Sequence, residues 1–276
     1  MPMPMIIAPW GDEKTSKTTF ALSFPKPLYH FDIDVGGYER AAWRIQTEGI
    51  TTQRYSQQMQ VEELTNSMMG NQVTKTNDSI TIKFPKKVVG MRELWQKIIT
   101  DYIKVLSDPK YQTIVFDSFT QMWNICHKAH LQEKQEKQLS EGMKDTDSKF
   151  RSSLKSIEYG TPNDRMRAVI YNARSTGKNL VLNHYPRDVY GVRVNNKGET
   201  EDYRTGQETL DGFKEVAKLI DIAVRTQSRF VDKKKVVDIT ITTCGLPGLG
   251  FKAEGMKLPT PDYQGIMSLI EALNVS

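Results

Sequence analysis

Cysteine is scarce in this chain. Its two thiols, Cys126 and Cys244, form no metal pattern. They fit a reducing compartment and read as ordinary semi-buried thiols. Long apolar runs are missing as well, and none approaches the about 20 residues that cross a bilayer. The opening Met1-Pro2-Met3-Pro4-Met5 has neither a basic region nor a signal-type apolar stretch, which gives the expectation of a cytoplasmic protein with no membrane partner. No internal repeat is visible. Neither charge dominates: 38 Lys and Arg against 33 Asp and Glu leave a net +5, with a pI near 9.0. That balance mildly favours an anionic partner, nucleic acid being the common one. Of the four histidines, His30, His127 and His130 read as incidental, and His127 and His130 have no further metal ligands nearby.

What remains is the composition of a globular protein, 38% hydrophobic and 26% charged over 276 residues. This is enough chain for one α/β domain with a full core. Short β-rich runs alternate with helical patterns, the mark of a mostly parallel central sheet flanked by helices. The strands expected are Met5 to Ala8, Leu28 to Asp32, Thr113 to Asp117, Leu180 to Asn183 and Ile220 to Arg225. Helices are expected at Thr18 to Ser23, Tyr38 to Gln46, Met91 to Leu106, Phe119 to Gln138, Pro162 to Thr176 (Thr161 as N-cap) and Gly212 to Leu219. A peripheral β insertion is expected at about 47–87, with strands at Thr51 to Tyr55 and Ser79 to Phe84. Gln132 to Ser148 reads as a solvated helix end and loop broken at Gly142, alternatively as a loop that orders on nucleic acid. Two β-rich runs, Arg225 to Val231 and Val236 to Thr243, flank Asp232-Lys233-Lys234-Lys235 as a hairpin with a basic tip, and a helix from about Tyr263 to Leu273 ends the chain.

The chemistry-bearing residues sit at strand ends. Gly11-Asp12-Glu13-Lys14-Thr15-Ser16-Lys17-Thr18 follows the first apolar run and leads through Thr19 into a helix. This is the order of a phosphate-binding loop: backbone N–H groups at a helix start attract an anion, and a lysine adds a full charge. In the pattern G-x-x-x-x-G-K-[ST], Lys17 reaches the β- and γ-phosphates and the Thr18 hydroxyl binds magnesium. Ser16 stands where the second glycine is usual.

An apolar strand ending in Asp117 supplies the carboxylate that phosphoryl chemistry needs beside a metal, unless Asp117 only caps the next helix. Asp32 and Asp34 close the second strand before Gly36-Gly37. Asp34 is placed to orient or deprotonate water and Asp32 to assist the metal shell, the other reading being helix caps. Asn183-His184 ends a third strand, and His184 is the leading candidate to sense the γ-phosphate and report it to Tyr185 to Val194. Basic residues fall in three groups: Arg187 with Arg193, Arg225 with Arg229, and Lys233 to Lys235. Each is a candidate for phosphate of nucleic acid or of a neighbouring subunit's ATP, with Tyr185, Tyr190 and Tyr203 available to stack on bases. Solvated surface is the bland alternative, and lysines at a hairpin tip also protect exposed strands.

Together, Gly11 to Leu22, Phe31 to Ala41, Ile114 to Ser118 and Leu182-Asn183-His184 resemble the RecA-like P-loop ATPases carried by bacteriophages, which often accompany single-strand annealing and recombination proteins. The resemblance spans roughly residues 5–250. It implies one RecA-like ATPase domain over 1–276, with the C-terminal hairpin and helix at about 225–276. It further implies ATP and Mg2+ as cofactors, with Thr18 and Asp117 holding the metal. Asp34 takes the place of the family's catalytic glutamate, and His184 that of its sensor glutamine. Lys17, Asp34, Asp117 and His184 thus become the expected catalytic set, with Gly11 to Thr19 binding nucleotide. Single-stranded DNA, self-association into a ring or filament, and a host-cell cytoplasm are the implied setting. Ser16 and the shorter Asp34 imply slow hydrolysis. The alternative is a non-catalytic scaffold that uses ATP as an assembly switch.

Overall fold

The structure, a computed structural model, describes residues 4–34, 36–56, 72–76, 79–83, 86–194, 198–247 and 249–274. Its centre is a seven-stranded sheet. In chain order, the strands are β1 (Ile6–Trp10), β2 (Leu28–Asp32), β3 (Ile50–Arg54), β6 (Thr113–Asp117), β7 (Asn179–Leu182), β10 (Ile222–Val231) and β11 (Lys234–Cys244). In space they run β11-β10-β1-β7-β6-β2-β3. Every pairing is parallel except β10 with β11. Strand β7 lies between β1 and β6, so the two strands leading into Gly11 and out of Asp117 flank a third. That order is the RecA-like one.

Period-two alternation divides the strand side chains between two apolar layers. Ile6, Phe31, Ile114, Phe116, Leu180 and Leu182 face one layer, covered by the helices α3 (Met91–Ser107), α4 (Phe119–Ser140) and α5 (Gly160–Ser175). Ile7, Leu28, Val115, Val181, Val224 and Ile241 face the other, under α1 (Lys17–Ala21), α2 (Gly37–Ala42) and the C-terminal helix α7 (Tyr263–Asn274). Strand β6 is buried along its whole length, as expected of a central strand covered on both sides.

The apolar strands β2 and β6 have the expected bounds. Elsewhere the structure corrects the expectation. Ile50–Arg54 pairs in parallel with β2 as the sheet's edge strand, so it belongs to the main sheet and not to a peripheral insertion. β4 (Gln72–Thr76) and β5 (Ser79–Lys83) do form a separate antiparallel pair. Phe84, the polar stretch 57–71 and Val35 lie outside the described residues. The helix expected from Gly212 shrinks to α6 (Val216–Leu219). Thr161 is not an N-cap: a 3-10 turn at Ser156–Tyr159 runs straight into a helix beginning at Gly160, which leaves Thr161 and Pro162 inside the first turn.

One hairpin was not anticipated. β8 (Pro186–Val194) and β9 (Thr200–Leu210) form a two-stranded sheet of their own directly after Tyr185. Its second strand, Thr-Glu-Asp-Tyr-Arg-Thr-Gly-Gln-Glu-Thr-Leu, is poor in the β-branched and aromatic runs that mark strands, so pairing rather than propensity makes it extended.

Candidate nucleotide-binding site

The loop between β1 and α1 keeps the shape its sequence suggests. Gly11 has φ +149°, and a Cβ there would sit 2.3 Å from the Thr226 carbonyl oxygen, so no larger residue fits. Ser16 takes the left-handed conformation, φ 70°, that glycine takes more readily. The added Cβ therefore costs about 1 kcal/mol of backbone strain without changing the path. Thr15 Oγ1 lies 2.7 Å from Thr226 Oγ1 and also donates to the Asp12 carbonyl, which fixes the loop against β10. Lys17 folds under the loop and donates to the carbonyls of Gly11 at 2.7 Å and Asp12 at 2.5 Å. Burial lowers its pKa, although the carboxylates of Asp117 and Asp34 oppose the shift.

Across the cleft, the Thr18 hydroxyl donates to Asp117 Oδ2 at 2.5 Å. These two residues are 99 positions apart in sequence, and the order of the parallel strands brings them together. Burial alone would raise the Asp117 carboxyl. His30 and the Thr18 hydroxyl act against it, and the net direction is downward. A carboxylate held ionised beside a hydroxyl suits a hard divalent cation that takes its other ligands from phosphate and water. Among the described residues no group of three or more His, Cys, Asp or Glu is placed to hold a metal ion by itself. Gly37 packs against this pair: a Cβ there would lie 3.2 Å from Asp117 Oδ2 and 3.3 Å from Thr18 Oγ1.

Asp34 also reaches the cleft, and its carboxylate accepts a hydrogen bond from the Tyr185 hydroxyl. Its backbone N–H and that of Ile33 donate to the Asp117 carbonyl at 2.8 and 2.6 Å, which links the two carboxylate-bearing strand ends. Asp32 is not part of the site. It is buried and bound to Arg54 Nε at 3.2 Å, with burial raising its pKa.

His184 is not brought to the cleft. Val181 faces the α1 layer whereas Leu180 and Leu182 face the opposite one, so alternation sends His184 to the α4 side. There its Nδ1 meets the Asp211 carbonyl at 2.6 Å, and its ring lies edge-on to Phe119 at 5.6 Å. Tyr185 takes the position expected of His184, with its ring 5.1 Å from Lys17 Nζ. Asn183 is fully buried on the same side, with neither amide atom in a hydrogen bond among the described residues.

Burial pushes His184 down to about 4 from an ordinary 6.5, and among the described residues its Nε2 has no partner to accept a proton from it. In that interval the unfolded chain binds a proton that the native chain refuses, so stability should be full above pH 6.5 and fall as the pH drops towards 4. Between pH 6.5 and 4.5, urea unfolding should show a loss of about 2 kcal/mol from this residue, and His184→Leu should remove that part of the slope. An unchanged slope in the variant would place the titration elsewhere.

The cleft measures about 480 Å³, the size of an ordinary ligand site. Lys14, Lys17, Arg40, Arg44 and Lys235 line it against Glu13, Asp34 and Asp117, an excess of positive charge. Sequence reasoning missed Gly37, Arg40, Arg44 and Tyr185 as lining residues, and dismissed His30, whose Nε2 lies 3.6 Å from Asp117 Oδ2. The same alternation would have found His30, because position 115 shares its face and stands beside it in register.

Several of the basic candidates are engaged within the chain. Arg225 pairs with Glu208 and lies 5.1 Å over the Trp10 ring. Arg229 binds Asp238 at 2.6 Å, and Arg193 binds Glu201 at 2.7 Å while covering Tyr203. Both cysteines are buried and free. Among the described residues no helix is long and apolar enough to cross a membrane.

A phosphate loop after the first strand, a carboxylate closing the strand two places over, and a mostly parallel sheet covered on both faces define the class of RecA-like P-loop ATPases. Residues 3–245 match the AAA domain family, and the chain belongs to it. No curated protein matches the chain. Among solved structures it is similar to a KaiC-like protein from the hyperthermophilic archaeon Pyrococcus horikoshii OT3, with 10% identity over 95% of this chain and 88% of that one and a TM-score of 0.44. It is also similar to the flagellar accessory protein FlaH from Methanocaldococcus jannaschii, with 10% identity, 94% and 85% coverage and a TM-score of 0.40.

Proposed function

We propose that this protein binds ATP with Mg2+ in the cleft between Gly11–Thr19 and Asp117, hydrolyses it slowly, and uses the cycle on single-stranded DNA in phage recombination, annealing or repair. The observation that carries the nucleotide half is the Thr18–Asp117 hydrogen bond beside the loop-bound Lys17 ammonium. Lys17 and the loop N–H groups hold the phosphates, and Thr18 and Asp117 hold the cation. Bound magnesium supplies charge neutralisation at the phosphates. Asp34 is the residue positioned to accept a proton from water. The Tyr185 hydroxyl engages one of its two oxygens and leaves the other for water. Ser16 in the loop and the short reach of Asp34 fit slow turnover and equally favour the second reading, a non-hydrolysing scaffold that ATP assembles.

Support for DNA is the hairpin β8–β9, which starts at the residue after Tyr185 and carries Tyr190 at 62% exposure and Val192 at 66%. An exposed ring such as Tyr190 stacks on an unpaired base, and Arg187 on the same strand attracts phosphate. The test is phosphate release from ATP with and without single-stranded DNA, together with DNA binding over a salt series. Turnover that DNA raises, and binding that weakens steeply with salt, are the expected results. No phosphate release under any condition would leave the scaffold. Flat salt dependence would remove nucleic acid from the account.

A further inference from the structure

The β10–β11 hairpin outruns the sheet. β1 pairs with β10 only as far as Trp10 opposite Arg225, yet the hairpin continues to Val231 and turns at Asp232 and Lys233, both at positive φ. Because β1 and β10 are parallel, the overhang follows the course of the chain beyond Trp10, which is the phosphate loop. Thr226 clamps the base of the overhang to Thr15. Along β11, Ile239 and Ile241 are buried in the layer under α1, and Val237 packs against it. Period two therefore puts Lys235 on the same face, one step past the end of the core. There its Nζ donates to the Lys14 carbonyl and lines the cleft with Lys17, Thr18 and Asp117.

We propose that Lys235 is a phosphate ligand delivered in cis by this hairpin: on nucleotide arrival its ammonium leaves the Lys14 carbonyl for the terminal phosphate of a nucleoside triphosphate. An ammonium has three donors, and one neutral carbonyl is a weaker partner than a phosphate carrying negative charge. The hairpin then reports the presence of the third phosphate, because the lysine stands at the loop's outer rim (Lys14) and not at its base. The inference rests on the nucleotide-binding reading above.

Fluorescent ATP and ADP analogues titrated onto the wild type, Lys235→Ala and Lys235→Arg test it. Loss of a charged hydrogen bond predicts that Lys235→Ala weakens the triphosphate by about tenfold or more and leaves the diphosphate within about twofold. Lys235→Arg should restore most of the preference. An unchanged triphosphate-to-diphosphate ratio in Lys235→Ala overturns the proposal. Recovery of ATP turnover on mixing Lys17→Ala with Lys235→Ala chains would overturn the cis assignment, since neither chain alone then holds a complete site. A wild type that binds neither nucleotide would instead sink the nucleotide-binding reading, and this proposal with it.

Discussion

Lys17→Ala is expected to cut ATP turnover by ~10²–10³-fold, the loss seen when one preorganised donor to a developing charge is removed. Lys17 is 8% exposed and its ammonium is fixed by two loop carbonyls, so under the proposed function it would meet the phosphates from a place already set. The same geometry explains why the fold should survive the change. Burial already disfavours the ammonium, and removing it relieves that penalty while leaving the Gly11 and Asp12 carbonyls open to water in the cleft. Thermal unfolding close to wild type alongside the collapse of phosphate release is therefore the expected pair of results. Lys17→Arg should not rescue, because a planar guanidinium fork cannot occupy the space of a compact ammonium under the loop. A variant that turns over normally would show that the loop does not handle the phosphates.

Local signals carried the parts of this molecule that local chemistry decides. The apolar runs at Leu28–Asp32 and Thr113–Asp117 mark buried parallel strands because both faces need hydrophobic cover. The motif from Gly11 to Thr18 marks the loop because Lys17 and Thr18 have few other reasons to follow a strand. What a single sequence hides is register. His184 and Tyr185 are neighbours in the chain, and which one meets the cleft depends on which face β7 turns to α1. Val181 in that layer answers the question only once the layers are known. Lys235 is further removed. Its place over Lys14 needs the hairpin, its alternation and its attachment through Thr226 together, and only the first two are written near residue 235. Arg40 and Arg44 are missed for a similar reason, since a short helix after Gly36 and the turn that follows it bring them to the cleft by packing rather than by motif.

Phe116→Ala should destabilise the protein by about 3–5 kcal/mol, the usual loss for a buried phenyl ring whose site cannot collapse. The ring is fully buried in the middle of the sheet, stacked on Phe31 at 4.6 Å and flanked by Tyr102 at 5.4 Å and Phe119 at 5.8 Å. These rings come from two strands and two helices, so no single neighbour can move in to fill the void. Phe116→Leu keeps most of the volume and should cost less than half as much. The effect should reach the site, because the next residue is Asp117, whose carbonyl holds the N–H groups of Ile33 and Asp34. A sheet loosened at Phe116 misplaces both carboxylates at once, while Lys17 and the loop stay anchored to β10 through Thr226. Saturating ATP with Mg2+ should then recover part of the lost stability, in proportion to the logarithm of ligand over its dissociation constant. Chemical unfolding of the two variants with and without the nucleotide measures both terms. Equal losses for Ala and Leu would mean that the cost comes from strand pairing rather than from the ring cluster, and would break the link between the core and the cleft.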